Sequence, residues 1–274
     1  MTYPFLKGHG TENDFVLLPD HDGAIHGDLS PARVVALCDR RAGIGGDGVI
    51  RVIRTASIGV GEGAEWFMDY RNADGSLAEM CGNGIRVLAR HLVDEGLVDE
   101  GLVAGETFPI ATRDGVKTLS VDGPQVTVDM GAPAVLGDTE VCVDGRTWPA
   151  RHVSMGNPHA VAFVDDLSDA GRLLEPPGHD PALFPEGVNV EFVVRRGERH
   201  VAMRVHERGS GETRSCGTGA CAVMVATALA DDAPRGAAYR VDVPGGELTV
   251  TWTADDRILL TGPAVIVGRG VTEL

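Results

Sequence analysis

Apolar and polar positions alternate over short stretches for most of the chain, and Gly, Pro and Asp punctuate them at close intervals. Alternation with period two is the mark of half-buried strands. It predicts strands at Asp14–Leu18, Val49–Ile53, Glu65–Tyr70, Val116–Val121, Val126–Met130, Ala160–Val164, Val188–Val194, Val201–His206, Leu248–Trp252 and Ala264–Val267. Helical signals are fewer. Ser30-Pro31 supplies a cap and a first position for a helix through Ala42. Leu167–Leu174 offers a weaker counterpart, and Lys7–Phe15 reads as a polar, glycine-containing loop leading into a strand. Two stronger helices begin at Ile85, running to about Glu95, and at Ala220, running to Ala230. The second has no charged side chain, so it has no solvent face and is expected to be buried all round. A helix buried on every side among short strands implies a sheet curled around it.

Both strong helices follow the same phrase. Cys81-Gly82-Asn83-Gly84 opens the first and Cys216-Gly217-Thr218-Gly219 the second, 135 residues apart in a chain of 274. The spacing is close to half the chain, which predicts two halves of one design, each presenting a thiol at a helix start. Helix N-termini carry unpaired N–H groups and positive dipole density, which is expected to lower a thiol pKa. Glycine is unfavourable in a helix's first turn. Its use there twice suggests a close approach to the backbone, and a carboxylate would suit both helix starts. Two activatable thiols fit a reaction that needs one group on each face of a substrate.

Composition narrows the alternatives. A net charge of −16 argues against nucleic acid or an anionic membrane as partner. No run approaches the roughly 18 apolar residues of a membrane span. Five cysteines, widely spread behind an N-terminus without signal-peptide character, lead to the expectation of reduced thiols in a cytoplasmic protein. Lysine occurs only at Lys7 and Lys117, which leaves few candidates for a Schiff base to pyridoxal phosphate. Gly43-Ile44-Gly45-Gly46-Asp47-Gly48 matches a dinucleotide-binding phrase literally, but it follows a predicted helix and not a strand, so that reading fails its context test. No Cys or His partner stands at zinc spacing from Cys216 and Cys221, and no metal site is expected. Cys38, Cys142 and Cys221 read as packing residues.

Polar phrases accompany the thiols. With the cysteines superposed, Asn72 of Asn72-Ala73-Asp74-Gly75 falls opposite Glu207 of Glu207-Arg208-Gly209. Glu207 and Arg208 offer an acceptor for an ammonium and a bidentate donor for a carboxylate, although adjacent charges at a strand end are commonly just an exposed ion pair. His159, after Ser154-Met155-Gly156-Asn157-Pro158, would alone be a structural histidine; beside a thiol mechanism it becomes a proton-handling candidate. Asn189 stands at the mouth of a strand.

Taken jointly and in order, these residues resemble the diaminopimelate epimerase family. The matching phrases are Lys7-Gly8-His9-Gly10 with Asn13-Asp14-Phe15-Val16, Gly43-Ile44-Gly45, Asn72 to Ser76, Glu79 to Gly84, Ser154 to His159, Gly187-Val188-Asn189, and Glu207 through Cys221. The resemblance implies an α+β fold of two pseudo-symmetric domains, each a β-barrel wrapped around a central helix, with the active site in the interdomain cleft. The expected division is residues 1–122 with a returning strand at 263–274, then 123–262; Asp122-Gly123-Pro124 marks the boundary. It further implies a homodimer of lysine and peptidoglycan precursor biosynthesis that interconverts LL- and meso-diaminopimelate without pyridoxal phosphate or other cofactor. Cys81 and Cys216 would be the two acid–base thiols, with His159 and Glu207 assisting. Asn13, Asn72, Asn157, Asn189 and Arg208 would line the substrate pocket, with Gly82, Asn83, Gly217 and Thr218 at the helix starts. Two departures stand out: Thr11-Glu12 replaces the more usual Leu-Gly, and Gly48 stands where many members carry glutamine.

Proline racemases and hydroxyproline epimerases share the two cysteines, and phenazine-biosynthesis isomerases share the scaffold without them. Proline-type substrates lack the distal amino-carboxylate head that Arg208 and the asparagines would grip. A non-catalytic thiol sensor explains paired cysteines but not the polar phrases beside them.

Overall fold

The computed structural model describes residues 2–60, 63–98 and 106–274. The chain divides into two compact units, Met1–Val128 with Gly262–Leu274, and Asp129–Thr261. The first contains β1 (Tyr3–Gly10), β2 (Asn13–Pro19), α1 (Pro31–Cys38), β3 (Gly48–Arg54), α2 (Thr55–Ile58), β4 (Trp66–Asn72), α3 (Gly82–Asp94), β5 (Phe108–Thr112), β6 (Gly115–Asp122) and β7 (Gln125–Asp129). The second contains β8 (Ala134–Val143), β9 (Arg146–Ser154), β10 (Pro158–Phe163), β11 (Asn189–Gly197), β12 (His200–Glu207), β13 (Gly211–Thr213), α4 (Gly217–Ala230), β14 (Ala238–Val243), β15 (Gly246–Trp252) and β16 (Ile258–Pro263). Finally β17 (Val265–Thr272) returns to the first unit and pairs antiparallel with β1.

The class is α+β, and the two sheets repeat one pattern. In the first unit the order is β17-β1-β2-β3-β4-β5-β6-β7, antiparallel except at β2–β3 and β4–β5. In the second it is β8-β9-β10-β11-β12-β14-β15-β16, antiparallel except at the corresponding joints β10–β11 and β12–β14. Each sheet wraps one helix. α3 packs on β1, β2, β3, β4, β6 and β17, and α4 on β9, β10, β11, β12, β14 and β15. In α4 every residue from Ala220 to Ala228 is buried, as its lack of charge requires, while Thr218 is half-buried and Leu229 and Ala230 are exposed.

Local chemistry explains where the elements differ from expectation. α1 is capped by Ser30, whose side chain accepts from Arg33 N, but it stops at Cys38 and does not reach Ala42. The Asp39 carboxylate accepts from the N–H groups of Arg41 and Ala42, starting a new turn in place of another helical one. Leu167–Leu174 shrinks to a single 3-10 turn, Leu167–Ala170, closed by Gly171 at φ 62°. Lys7–Gly10 is strand and not loop: β1 runs to Gly10 and turns through Thr11 (φ 48°) and Glu12 (φ 62°) into β2. Asp122-Gly123-Pro124 turns β6 into β7.

Candidate active site

Each motif cysteine is the N-cap of its central helix, with extended backbone and a sulfur that accepts a hydrogen bond. Gly84 N lies 3.4 Å from Cys81 Sγ, and Gly219 N lies 3.3 Å from Cys216 Sγ. A thiol thus fills the role usually given to Ser or Asp. The third residue after each cysteine is glycine because something presses on it. A Cβ at Gly219 would stand 2.8 Å from Glu191 Oε1, and one at Gly84 would stand 2.9 Å from Met68 Cε and 3.1 Å from Ile50 Cδ1.

In the first unit, Cys81, Asn13 and Asn83 come together. Cys81 Sγ is 3.7 Å from Asn13 Oδ1, which also accepts from Asn83 Nδ2 at 3.1 Å. Asn83 Oδ1 in turn accepts from the fully buried Arg86 at 2.8 Å. Asn13 Nδ2 donates to Asp47 Oδ2 at 2.8 Å, which fixes the amide with its oxygen toward the thiol. Asp47 belongs to the glycine-rich phrase set aside on sequence grounds, and only folding reveals its part. Burial pushes its carboxyl up against the Asn13 hydrogen bond, and the adjacent Asp14 charge adds to the rise. Burial also acts on Asp14, but hydrogen bonds from Arg40 and Lys7 hold that carboxyl well below the usual range. Arg40 bridges the two aspartates, at 2.7 Å to Asp14 and 2.6 Å to Asp47. Asn72 donates to Ser76 Oγ at 3.0 Å. At Gly48 a Cβ would lie 2.5 Å from the Arg71 carbonyl oxygen, so the backbone there leaves no room for a side chain.

In the second unit, Cys216, His159, Glu207, Asn157 and Thr218 form one network. The Glu207 carboxylate acts on the Cys216 thiol through its charge, and Thr213 Oγ1 donates to that carboxylate. Thr218 Oγ1 is 3.5 Å from Cys216 Sγ and accepts from Asn157 Nδ2 at 3.3 Å. Asn157 Oδ1 is 3.0 Å from His159 Nε2, and His159 Nδ1 is 2.6 Å from Glu191 Oε1. Sequence reasoning missed Glu191. Its signal was a single acid inside the apolar run from Val188 to Val194. Asn189 sits at the start of β11 and braces backbone, donating to Pro158 O and accepting from Arg208 N. The Arg208 guanidinium is exposed, 3.8 Å from Glu186.

The expected lowering of the thiol pKa does not hold at Cys216. Burial and then the charges of Glu207 and Glu191 push it well above the ordinary thiol value, and the bonds from Thr218 and Gly219 N do not offset them. Burial likewise raises Glu207, against the hydrogen bond from Thr213. The resting sulfur is therefore a thiol, set beside the Glu207 carboxylate.

The fold defines a class first. A solved phenazine biosynthesis protein of the PhzF family from Bacillus anthracis superposes with TM-score 0.74 at 17% identity, covering 100% of both chains. A hydroxyproline epimerase from Agrobacterium vitis does so with TM-score 0.70 at 16% identity, covering 99% of this chain and 92% of that one. At such identities these likenesses establish the shared two-unit fold. Sequence narrows the class. The diaminopimelate epimerase family model matches residues 5–136 and 151–267. A diaminopimelate epimerase of Streptomyces coelicolor is 62% identical over 97% of this chain and 94% of its own length. One from Corynebacterium glutamicum is 47% identical over 100% and 99%. The chain belongs to the diaminopimelate epimerase family. Epimerases are isomerases, and the chain is an enzyme of that class.

Proposed function

We propose that the chain interconverts LL-2,6-diaminopimelate and meso-diaminopimelate by two-base proton transfer at one α-carbon. The observation that carries this reading is the pair of cysteine N-caps, one heading the central helix of each unit. Inversion needs a base on one face of the α-carbon and an acid on the other. Cys81 and Cys216 take these roles as thiolate and thiol, and exchange them in the reverse direction. Glu207 and His159 manage the proton of Cys216, which its raised pKa makes necessary. Charge developing on the substrate carboxylate meets the amides at Gly82-Asn83 and Gly217-Thr218, where the helix dipoles favour negative charge. Arg208, exposed and weakly engaged, grips the distal carboxylate, with Asn13, Asn72, Asn157 and Asn189 shaping the pocket. The product serves lysine and peptidoglycan precursor synthesis in the cytoplasm, and the working enzyme is a homodimer.

The test is to incubate the reduced protein with LL-diaminopimelate, and separately with L-proline and trans-4-hydroxy-L-proline, and resolve the stereoisomers. Meso-diaminopimelate alone is the expected product. Inversion of either proline and not of diaminopimelate would replace this reading.

A further inference from the structure

Beneath Cys216 lies a carboxylate that the mechanism above leaves without work. Glu191 is fully buried in β11, and its Oε2 makes no hydrogen bond among the described residues. Burying an acid is costly, and an apolar residue of similar volume generally serves folding as well or better. The first unit makes that substitution itself. Phe15 pairs with Gly48 as His159 pairs with Asn189, so Ile50 holds the place that Glu191 holds in the second unit. Both sites form the same sheet joint, so the joint does not require the acid.

What Glu191 touches indicates its work. Oε1 lies 2.6 Å from His159 Nδ1, and a Cβ on Gly219, in the first turn behind Cys216, would come within 2.8 Å of it. The carboxylate is wedged between the imidazole and the helix that carries the thiol. An ionised carboxylate there accepts from Nδ1–H and leaves Nε2 as the ring nitrogen that faces the amide oxygen of Asn157. From Nε2 the contacts run to Asn157 Oδ1, from Asn157 Nδ2 to Thr218 Oγ1, and from Thr218 Oγ1 to Cys216 Sγ.

We propose that Glu191 is a positioning residue for the epimerisation: by holding Nδ1–H of His159 it fixes the ring whose Nε2 leads through Asn157 and Thr218 to the Cys216 thiol. The proposal rests on the diaminopimelate epimerase reading and deepens it. Glu191 acts on the proton transfer and not on substrate binding. Its loss therefore lowers turnover and leaves KM nearly unchanged.

The test compares wild type, Glu191→Gln, Glu191→Ile (the residue of the first unit) and Glu191→Asp. Each is assayed for kcat and KM with diaminopimelate, and each is labelled with 15N-histidine to read the protonation of the His159 ring. Loss of an outer partner that orients a functional histidine typically costs about 10–100-fold. That fall in kcat is expected for the Gln and Ile variants, together with loss of the Nδ1–H signature, and Glu191→Asp should recover part of both. In a His159→Gln background, Glu191→Gln should cost nothing further. Turnover within about twofold of wild type would overturn the proposal, and so would full additivity with His159→Gln. If Glu191→Ile does not fold, the isosteric Gln variant decides. Should wild type leave diaminopimelate unchanged, the substrate reading fails, while the histidine spectra still decide whether Glu191 holds the ring.

Discussion

Phe15 and His159 occupy matching places in the two sheets, as do Ile50 and Glu191. Under Gly84, behind Cys81, lie Met68, Ile50 and Phe15; under Gly219, behind Cys216, lies Glu191. The backbone device is the same on both sides, a cysteine cap followed by two glycines, yet the first turn of one helix rests on hydrocarbon and that of the other on a buried acid paired with an imidazole. Cys81 has an amide, Asn13, as its hydrogen-bond partner, whereas Cys216 has a hydroxyl, Thr218, and lies in the field of two carboxylates, Glu207 and Glu191. A scaffold can thus repeat its geometry while setting its two thiols in different electrostatic surroundings. In the proposed two-base reaction one sulfur starts ionised and the other protonated, and these surroundings tell the two apart.

The largest effect should come from the sulfurs themselves. Cys81→Ser and Cys216→Ser are each expected to cut epimerisation by about a thousandfold or more, since a hydroxyl at neutral pH is a poor base. If either variant turned over near the wild-type rate, the comparison would lose its basis.

Acid sensitivity should separate the units next. The rings of His26 and His91 in the first unit are buried and make no hydrogen bond among the described residues, and burial lowers each pKa from 6.5 to about 4. A depressed folded-state pKa means that protonation favours unfolding. The stability is fully present above pH 6.5 and is lost as pH falls toward 4, by about 3 kcal/mol at most for each histidine. Hydrogen exchange should therefore show α3 losing protection over that window more steeply than α4. Equal loss in both helices would contradict this.

A smaller effect isolates the carboxylate beside Cys216. In a Cys81→Ser background, the pH midpoint for alkylation of Cys216 should lie above the ordinary thiol value. Glu207→Gln removes a negative charge that raises the midpoint, so it should fall by roughly one pH unit. A midpoint that stays put, or climbs, would mean burial alone sets it.

The smallest concerns the β1–β2 turn. Glu12 stands at φ 62°, a conformation that favours glycine. Glu12→Gly should stabilise the protein by about 1 kcal/mol in denaturant unfolding. A loss of stability would show that contacts of the Glu12 side chain outweigh the backbone strain.

Much of this was legible in the sequence because the informative features are local. Ser30-Pro31 announces a helix start through its own atoms, and the uncharged run after Cys216 requires burial wherever it lies. The Lys7–Gly10 end of β1 reads as loop because it carries no apolar alternation; its place comes from pairing with β2 and with β17, some 260 residues away in the chain. β8 escaped notice for a related reason: nearly all its side chains are at least partly exposed, so no buried face patterns the sequence. Asp47 and Glu191 join the site only through contacts with Asn13 and His159, at separations of 34 and 32 residues, and no spacing rule announces such pairs. The raised pKa of Cys216 was beyond reach for the same reason. The helix start is written beside the cysteine, whereas the burial that dominates the shift, and the Glu207 and Glu191 charges that add to it, come from folding.

The two-thiol claim is tested most directly by following deuterium during the first turnovers of LL-diaminopimelate in deuterated water. Two fixed bases deliver a solvent-derived deuteron to the inverted centre and return the original proton to unconverted substrate. The account predicts meso product deuterated at the new centre while the remaining LL substrate stays protonated. Product that retains the substrate's own proton, or deuterium entering substrate and product alike, would point to a single shuttling base and contradict it.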